Sequence, residues 1–179
     1  MDDGIAAMAT WVGALARGGI LIGEAEERGA RLALAVLGEE KLSELREWFA
    51  GQPADTVDRE RTAAIRLCVW MAHADRVLAD EEAALLRQLI ARSELGPDTR
   101  GALEAEITEA PELDEPASAL TQPGLRELVV ALAWQLAKAD GHLAEEELRA
   151  LDQLAEALAV DAERVEELKA HAYGADPGA

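Results

Sequence analysis

Two short acidic segments carry the residues whose types and spacing could bind a cation. The first contains Asp75 and Glu82, and the second, sixty-five positions later, contains Asp140 and Glu147. In each segment the aspartate precedes the glutamate by seven positions, which can bring both carboxylates together across a helix-turn-helix corner. Hard divalent cations prefer such oxygen ligands. One interpretation is therefore a metal site at each turn for calcium, magnesium or manganese.

A purely structural interpretation of the same residues stays open. Glutamates in the first turn of a helix are stabilised by the helix dipole, whereas an aspartate at a helix end is opposed by it by roughly a few tenths of a kcal/mol. Main-chain N–H groups could compensate Asp75 and Asp140 and make them caps. If instead the two segments pack face to face, all four carboxylates could converge on one composite site.

Two better-known metal sites do not fit these segments. An EF-hand loop needs oxygen ligands at alternate positions, where the first segment has Val77 and Ala79. His142 could add a nitrogen ligand and shift the preference toward a transition metal. His73 and His171 do not share its register, and three unaligned histidines are more typical of surface residues than of a zinc site.

The similarity between the two segments extends into their flanks. Identical residues recur at the same offset, namely Arg61, Leu67, Ala72, Leu86, Gln88, Leu89 and Leu103 in the first copy and Arg126, Leu132, Ala137, Leu151, Gln153, Leu154 and Leu168 in the second. Each segment follows one apolar helical run and leads into another. This pattern predicts two diverged copies of a helix-turn-helix unit.

With Ala139-Asp140-Gly141, Leu143 and Glu147 in place, the second copy resembles the TerB family of bacterial tellurite-resistance proteins. The resemblance covers residues 60 to 170, although Arg76 replaces the turn glycine in the first copy. It implies an all-helical domain in a stress response to tellurite and other toxic challenges. It also implies metal sensing or chelation, or the scaffolding of protein complexes.

Composition favours an all-α fold, because aromatic residues make up only 3% while alanine and leucine dominate. We expect a TerB-like bundle of about seven to nine helices.

The chain is predicted to divide into three parts. They are an N-terminal helical segment packing on the main domain (1–57), a duplicated domain (58–172, with units at about 58–108 and 124–172) and a tail (173–179). Gly38 is predicted to break a helix, Asp58 and Asp161 to cap helices, and residues 109–124 to form a proline-rich connector.

The formal net charge of −19 limits the partners that the chain can bind. Such a surface repels nucleic acid and anionic lipid headgroups, and it favours cations or a protein partner with a basic surface. The same charge could also serve only to keep the protein soluble.

The apolar region 5–22 is interrupted by Arg17-Gly18-Gly19, so neither a signal peptide nor direct membrane insertion is expected, and we expect a cytoplasmic location.

No catalytic motif emerges from the sequence. Cys68 lies in an apolar run and is expected to be a buried hydrophobe, and a chain with one cysteine has no internal disulfide. Phosphate-binding loops, nucleophile elbows and His-Glu-x-x-His patterns are absent. We therefore expect no enzyme. Two alternatives remain: a scaffold with a partner in an apolar groove, and a hydrolase with the carboxylate pairs around an open metal position.

Overall fold

The computed structural model describes residues 24–74, 78, 80–138 and 145–174. Within these ranges the chain forms eight helices and no strand, which confirms the predicted all-α fold. They are α1 (Glu24–Ala50), α2 (Ala54–Ala72), α3 (Asp80–Arg92), α4 (Pro97–Glu106), α5 (Asp114–Ala119), α6 (Pro123–Lys138), α7 (Glu145–Ala157) and α8 (Ala162–Gly174).

Helix α1 consists of two helical segments, 24–37 and 39–50, separated at Gly38. This glycine has φ 78° and ψ 167°, a combination that is essentially confined to glycine because a Cβ would clash with the backbone. The predicted break at Gly38 is therefore confirmed. The first helix of the described chain changes direction there instead of continuing straight.

Helix α6 lies at the centre of the bundle and packs against α1, α2, α7 and α8. Its buried residues surround the helix axis: Leu125, Leu128, Val129, Val130, Ala131, Leu132, Ala133 and Trp134. Neighbours on several sides therefore bury this stretch of the helix all round. Despite this apolar helix, none of the helices in the described ranges is long and apolar enough to cross a membrane.

A second set of contacts is organised by α2, which packs against α3, α4, α5 and α6. One continuous hydrophobic cluster joins residues of α1 to those of the later helices. Cys68 belongs to this cluster, is 3% exposed, and directs its thiol to the main-chain oxygen of Ala64 at 2.9 Å. Its predicted role as a buried hydrophobe is confirmed.

The start of α2 corrects one prediction. Asp58 was expected to cap this helix, but α2 begins at Ala54 and its N-cap is Pro53, with φ −61° and ψ 150°. The main-chain N–H groups of Thr56 and Val57 donate to the Pro53 oxygen, so a helical turn has already formed before Asp58. The fixed φ of proline provides the start that the sequence pattern assigned to the aspartate.

The connector between the two units contains a short helix that the sequence did not predict. Helix α5 spans six residues and has Pro116 within its first turn, where the missing N–H removes no helical hydrogen bond. Pro116 and Ala117 are buried, and α5 packs against α2 and α7. Packing against these helices offsets the weak intrinsic tendency of so short a segment to form a helix.

Candidate functional site

Both predicted acidic turns fall in segments between the two helices of a pair. The first turn follows Ala72, the last residue of α2, and precedes Asp80, the first of α3. The second follows Lys138, the last residue of α6, and precedes Glu145, the first of α7. Asp75 and Asp140 themselves lie outside the described residues.

The glutamates of the two turns occupy equivalent helical positions. Glu82 is the third residue of α3, and Glu147 is the third residue of α7. Glu147 is half-buried, whereas its neighbours Glu145 and Glu146 are exposed. The first turn of α7 thus carries three acidic residues, a charge that the positive end of the helix dipole stabilises.

The opposite, open end of each helix pair is held by an arginine. Arg61, on α2, donates a hydrogen bond from Nη1 to the main-chain oxygen of Ser93, just after the last residue of α3, at 2.6 Å. Arg126, on α6, donates from Nη1 to the main-chain oxygen of Leu158, just after the last residue of α7, at 3.4 Å. Both arginines therefore place a positive charge at the C-terminus of the second helix, where the dipole favours it.

A residue shortly after each of these two helices has the same unusual backbone conformation. Glu94 has φ 59° and Ala159 has φ 52°, and both directly follow the carbonyl that the arginine binds. At Ala159 the N–H donates to Glu156 and the N–H of Val160 donates to Ala155, which is the hydrogen-bond pattern of a Schellman cap. Left-handed non-glycine residues are uncommon, so their occurrence at both helix ends fixes where each hairpin stops.

The part of the chain that the structure describes contains no cluster of three or more His, Cys, Asp or Glu side chains able to hold a metal ion. The two predicted aspartate ligands are outside that part, and only the backbone of Glu82 is described. The chemistry of the predicted donors, all carboxylates, fits a hard divalent cation. The structure therefore places Glu82 and Glu147 at the start of the helix that follows each predicted turn, and the described residues show no metal site there.

Of the three histidines, only His73 has a described side chain. His73 follows the last residue of α2, and its Nε2 lies 3.1 Å from the main-chain oxygen of Ile107. His142 is outside the described ranges, and of His171 only the helical backbone is described. His73 thus links the end of α2 to the end of α4 and has a structural partner.

The buried charged residue Glu60 was not predicted from the sequence. Its side chain is fully buried, and its carboxylate accepts hydrogen bonds from the main-chain N–H of Thr121 at 3.0 Å and of Gln122 at 3.4 Å. It also accepts from the Thr121 hydroxyl. These donors directly precede α6, so Glu60 satisfies N–H groups at the start of the central helix. A contact between positions so distant in sequence leaves no local signal.

A buried tryptophan on α6 contacts a lysine of α8. Trp134 is buried on α6, and the ammonium of Lys169 on α8 lies 5.0 Å from its ring centroid. This distance is within cation–π range.

The equivalence of Arg61 and Arg126 was visible in the sequence, but their role at the helix ends appears only in the fold.

Comparison with known protein families identifies a matching family. The family model described as "Tellurite resistance protein TerB" matches residues 61–170. No curated protein and no solved structure matches the chain. The matched segment begins within α2, ends within α8, and contains both acidic turns.

Proposed function

The chain belongs to the TerB family, and on that premise we propose that it is a cytoplasmic, non-enzymatic stress-response protein that binds a divalent cation at its acidic turns. The proposed ligands are Asp75 with Glu82 and Asp140 with Glu147. The observation that carries the proposal is the position of the predicted turns. Each lies between the two helices of a pair, and Arg61 or Arg126 joins the helices at the opposite end of that pair.

Calcium, magnesium and manganese are the proposed ions. Each turn offers two carboxylates, and main-chain carbonyls can complete the oxygen ligands that such ions require. A bound ion would neutralise acidic groups in a protein that already carries a formal net charge of −19. Relief of this repulsion is the physical reason to expect binding at the turns.

We further propose that the two helix pairs are copies of one unit. The bounds of α3 (Asp80–Arg92) and α7 (Glu145–Ala157) differ by the same sixty-five positions as the two arginines and the carbonyls that they bind. These matched contacts support a duplication. Because the second turn has Gly141 where the first has Arg76, we expect the second turn to bind the cation more tightly.

The proposal is tested by calorimetric titration of calcium, magnesium, manganese and zinc into metal-stripped protein. We expect saturable binding of at least one of the first three ions with a micromolar dissociation constant. The double variant Asp140→Asn/Glu147→Gln is expected to lose the tighter binding while staying folded. Folded wild-type protein that binds none of these ions would show that the acidic residues act as helix caps.

A second candidate function is a non-enzymatic scaffold whose acidic turns are only structural caps and whose protein partner binds in an apolar groove between helices. It is favoured by the acidic first turn of α7, since helix-dipole stabilisation alone accounts for these charges. Under this alternative, the Asp140→Asn/Glu147→Gln variant keeps its affinity for partners in an apolar groove. A metal-dependent hydrolase would require turnover of a substrate that stops when the metal is removed.

A further inference from the structure

We propose that Glu60 selects the helix pairing at the centre of the bundle: it favours α2 on α6 and disfavours α2 on the α2 of a second copy of this chain. The inference rests on the duplication proposed above and is independent of cation binding. In a duplicated chain α2 and α6 are versions of one helix, and they pack on each other. Each could therefore also pack on its own counterpart in another molecule, through the same surface on both chains.

The charge of Glu60 is present in the first copy alone. Glu60 on α2 is fully buried, and the residue sixty-five positions later is the buried Leu125 on α6. The next residue, Arg61, has the identical counterpart Arg126, and both bind a helix end within their own hairpin. A buried carboxylate is costly unless it is hydrogen-bonded. Its presence in one copy only indicates a role between the copies.

The hydrogen bonds of Glu60 join the first copy to the second. Its carboxylate accepts from the main-chain N–H groups of Thr121 at 3.0 Å and Gln122 at 3.4 Å, and from the Thr121 hydroxyl. These residues directly precede Pro123, where α6 begins. Because donors at the start of a helix have no acceptor within it, the two N–H groups need a partner from elsewhere. Glu60 provides this partner from α2.

In the first copy the equivalent donors are already occupied. Thr56 and Val57 stand at the positions that correspond to the two donors of Glu60. Since α2 begins at Ala54, both lie inside this helix. Their N–H groups donate to the main-chain oxygen of Pro53 at 3.0 and 3.2 Å. In a pairing of α2 with α2 in the same geometry, Glu60 would face donors that are already bound.

The two pairings therefore differ in whether buried polar groups are satisfied. With α2 on α6, the carboxylate of Glu60 meets free N–H groups. With α2 on α2, two carboxylates would be buried without donors, and with α6 on α6, Leu125 would leave the N–H groups of Thr121 and Gln122 without an acceptor. A buried polar residue can select one pairing among similar helices, as a single asparagine does in coiled coils.

The test compares the full-length wild type with Glu60→Leu, which introduces the residue of the second copy. Each protein is unfolded in urea, refolded at low and at high protein concentration, and analysed by sedimentation velocity. We expect the wild type to refold to the same species at both concentrations. In Glu60→Leu we expect the fraction of a larger species at high concentration to exceed the wild-type fraction by at least about tenfold, because charge-assisted hydrogen bonds no longer favour α2 on α6.

Two control variants separate the choice of pairing from stability and from added surface hydrophobicity. Gly38→Ala strains the backbone of α1 and leaves the contact of Glu60 in place. Glu104→Leu makes the same substitution at an exposed position of α4. Neither control is expected to form the larger species. A dimer that exchanges units but keeps α2 on α6 retains the Glu60 contact, so its amount should not depend on this residue.

Glu60→Gln is the second variant if the leucine variant does not fold. It keeps the shape and one acceptor oxygen, so we expect a smaller increase in the larger species than leucine would cause. A folded Glu60 variant that refolds as the wild type does, or an equal increase in Gly38→Ala, would overturn the role of Glu60 in pairing. Concentration-dependent association of the wild type on refolding would also overturn it. Failure of both Glu60 variants to fold would assign the carboxylate to stability alone, with the same consequence.

Discussion

The Nη1 atom of Arg61 lies 2.6 Å from the main-chain oxygen of Ser93, which joins the first half of α2 to the end of α3. Because the acidic turn closes the other end of this helix pair, the arginine and the turn together set how the two helices align. Arg126 and Leu158 make the corresponding contact between α6 and α7. The alignment of each hairpin thus depends on a residue far from the turn itself.

Replacing these arginines is expected to destabilise the fold. A hydrogen bond to a charged group contributes about 1.5–3 kcal/mol, so Arg61→Met should lower the free energy of unfolding by about that amount in urea denaturation. Arg126→Met is expected to act in the same direction, because its Nε also donates to the Leu120 oxygen at 2.6 Å. The exposed Arg149→Met is the control, with less than about 0.5 kcal/mol expected. Equal effects of Arg61→Met and the control would refute the capping role.

Glu60 is predicted to stabilise the start of α6 through its buried carboxylate. Glu60→Gln keeps the shape but replaces one acceptor oxygen by a donor that faces the N–H groups of Thr121 and Gln122. We expect the free energy of unfolding to fall by about 1–3 kcal/mol in chemical denaturation. The exposed Glu104→Gln on α4 should be nearly neutral. A neutral Glu60→Gln would show that the carboxylate charge is not needed there.

Gly38 and Gly101 are predicted to respond to alanine in opposite directions. At φ 78° and ψ 167°, Gly38→Ala should cost about 1–3 kcal/mol of stability. Gly101 lies within α4 with open space around its Cβ position, so Gly101→Ala should stabilise by about 1 kcal/mol through its higher helix propensity. Thermal unfolding of both variants provides the measurement. Destabilisation by both would contradict the assignment of Gly38 as a backbone requirement.

Ala159 is predicted to be a site where glycine stabilises the protein. Its φ of 52° places an alanine in the left-handed region, which costs roughly 1–2 kcal/mol relative to a helical conformation and which glycine adopts freely. Ala159→Gly is therefore expected to raise the free energy of unfolding by up to about 1 kcal/mol. Ala91→Gly, at an exposed position inside α3, should lower it by a similar amount. A loss of stability in both variants would count against the left-handed cap.

Much of the fold follows from local features of the sequence. Apolar periodicity identified the two helix pairs, and Gly38 marked the break in α1, because these signals depend only on near neighbours. Both acidic segments fall between helices, as the bounds of α2, α3, α6 and α7 show. The TerB resemblance predicted over residues 60 to 170 agrees with the family match over 61–170.

Other features depend on tertiary contacts and were not predicted. Helix α5 exists where Pro116 and Ala117 are buried, and local propensity gives little sign of it. Glu60 looks like an ordinary exposed glutamate until the fold brings Thr121 beside it, sixty-one positions later. The N-cap position expected at Asp58 is occupied by Pro53, which makes no side-chain cap hydrogen bond. Of the predicted ligands, Glu82 and Glu147 lie at helix starts and Asp75 and Asp140 lie outside the described residues, and the metal-binding role of all four remains a prediction.

The most direct test of the account is a calorimetric titration that separates the acidic turn from acidic charge in general. Asp140→Asn/Glu147→Gln and Asp152→Asn/Glu156→Gln remove the same number of charges, the first pair from the turn and the second from exposed positions on α7. We predict that the first variant loses the tighter binding of calcium, magnesium or manganese and that the second keeps the wild-type affinity. Equal affinity in both variants, or no binding by the folded wild-type protein, would contradict a cation site at the turn.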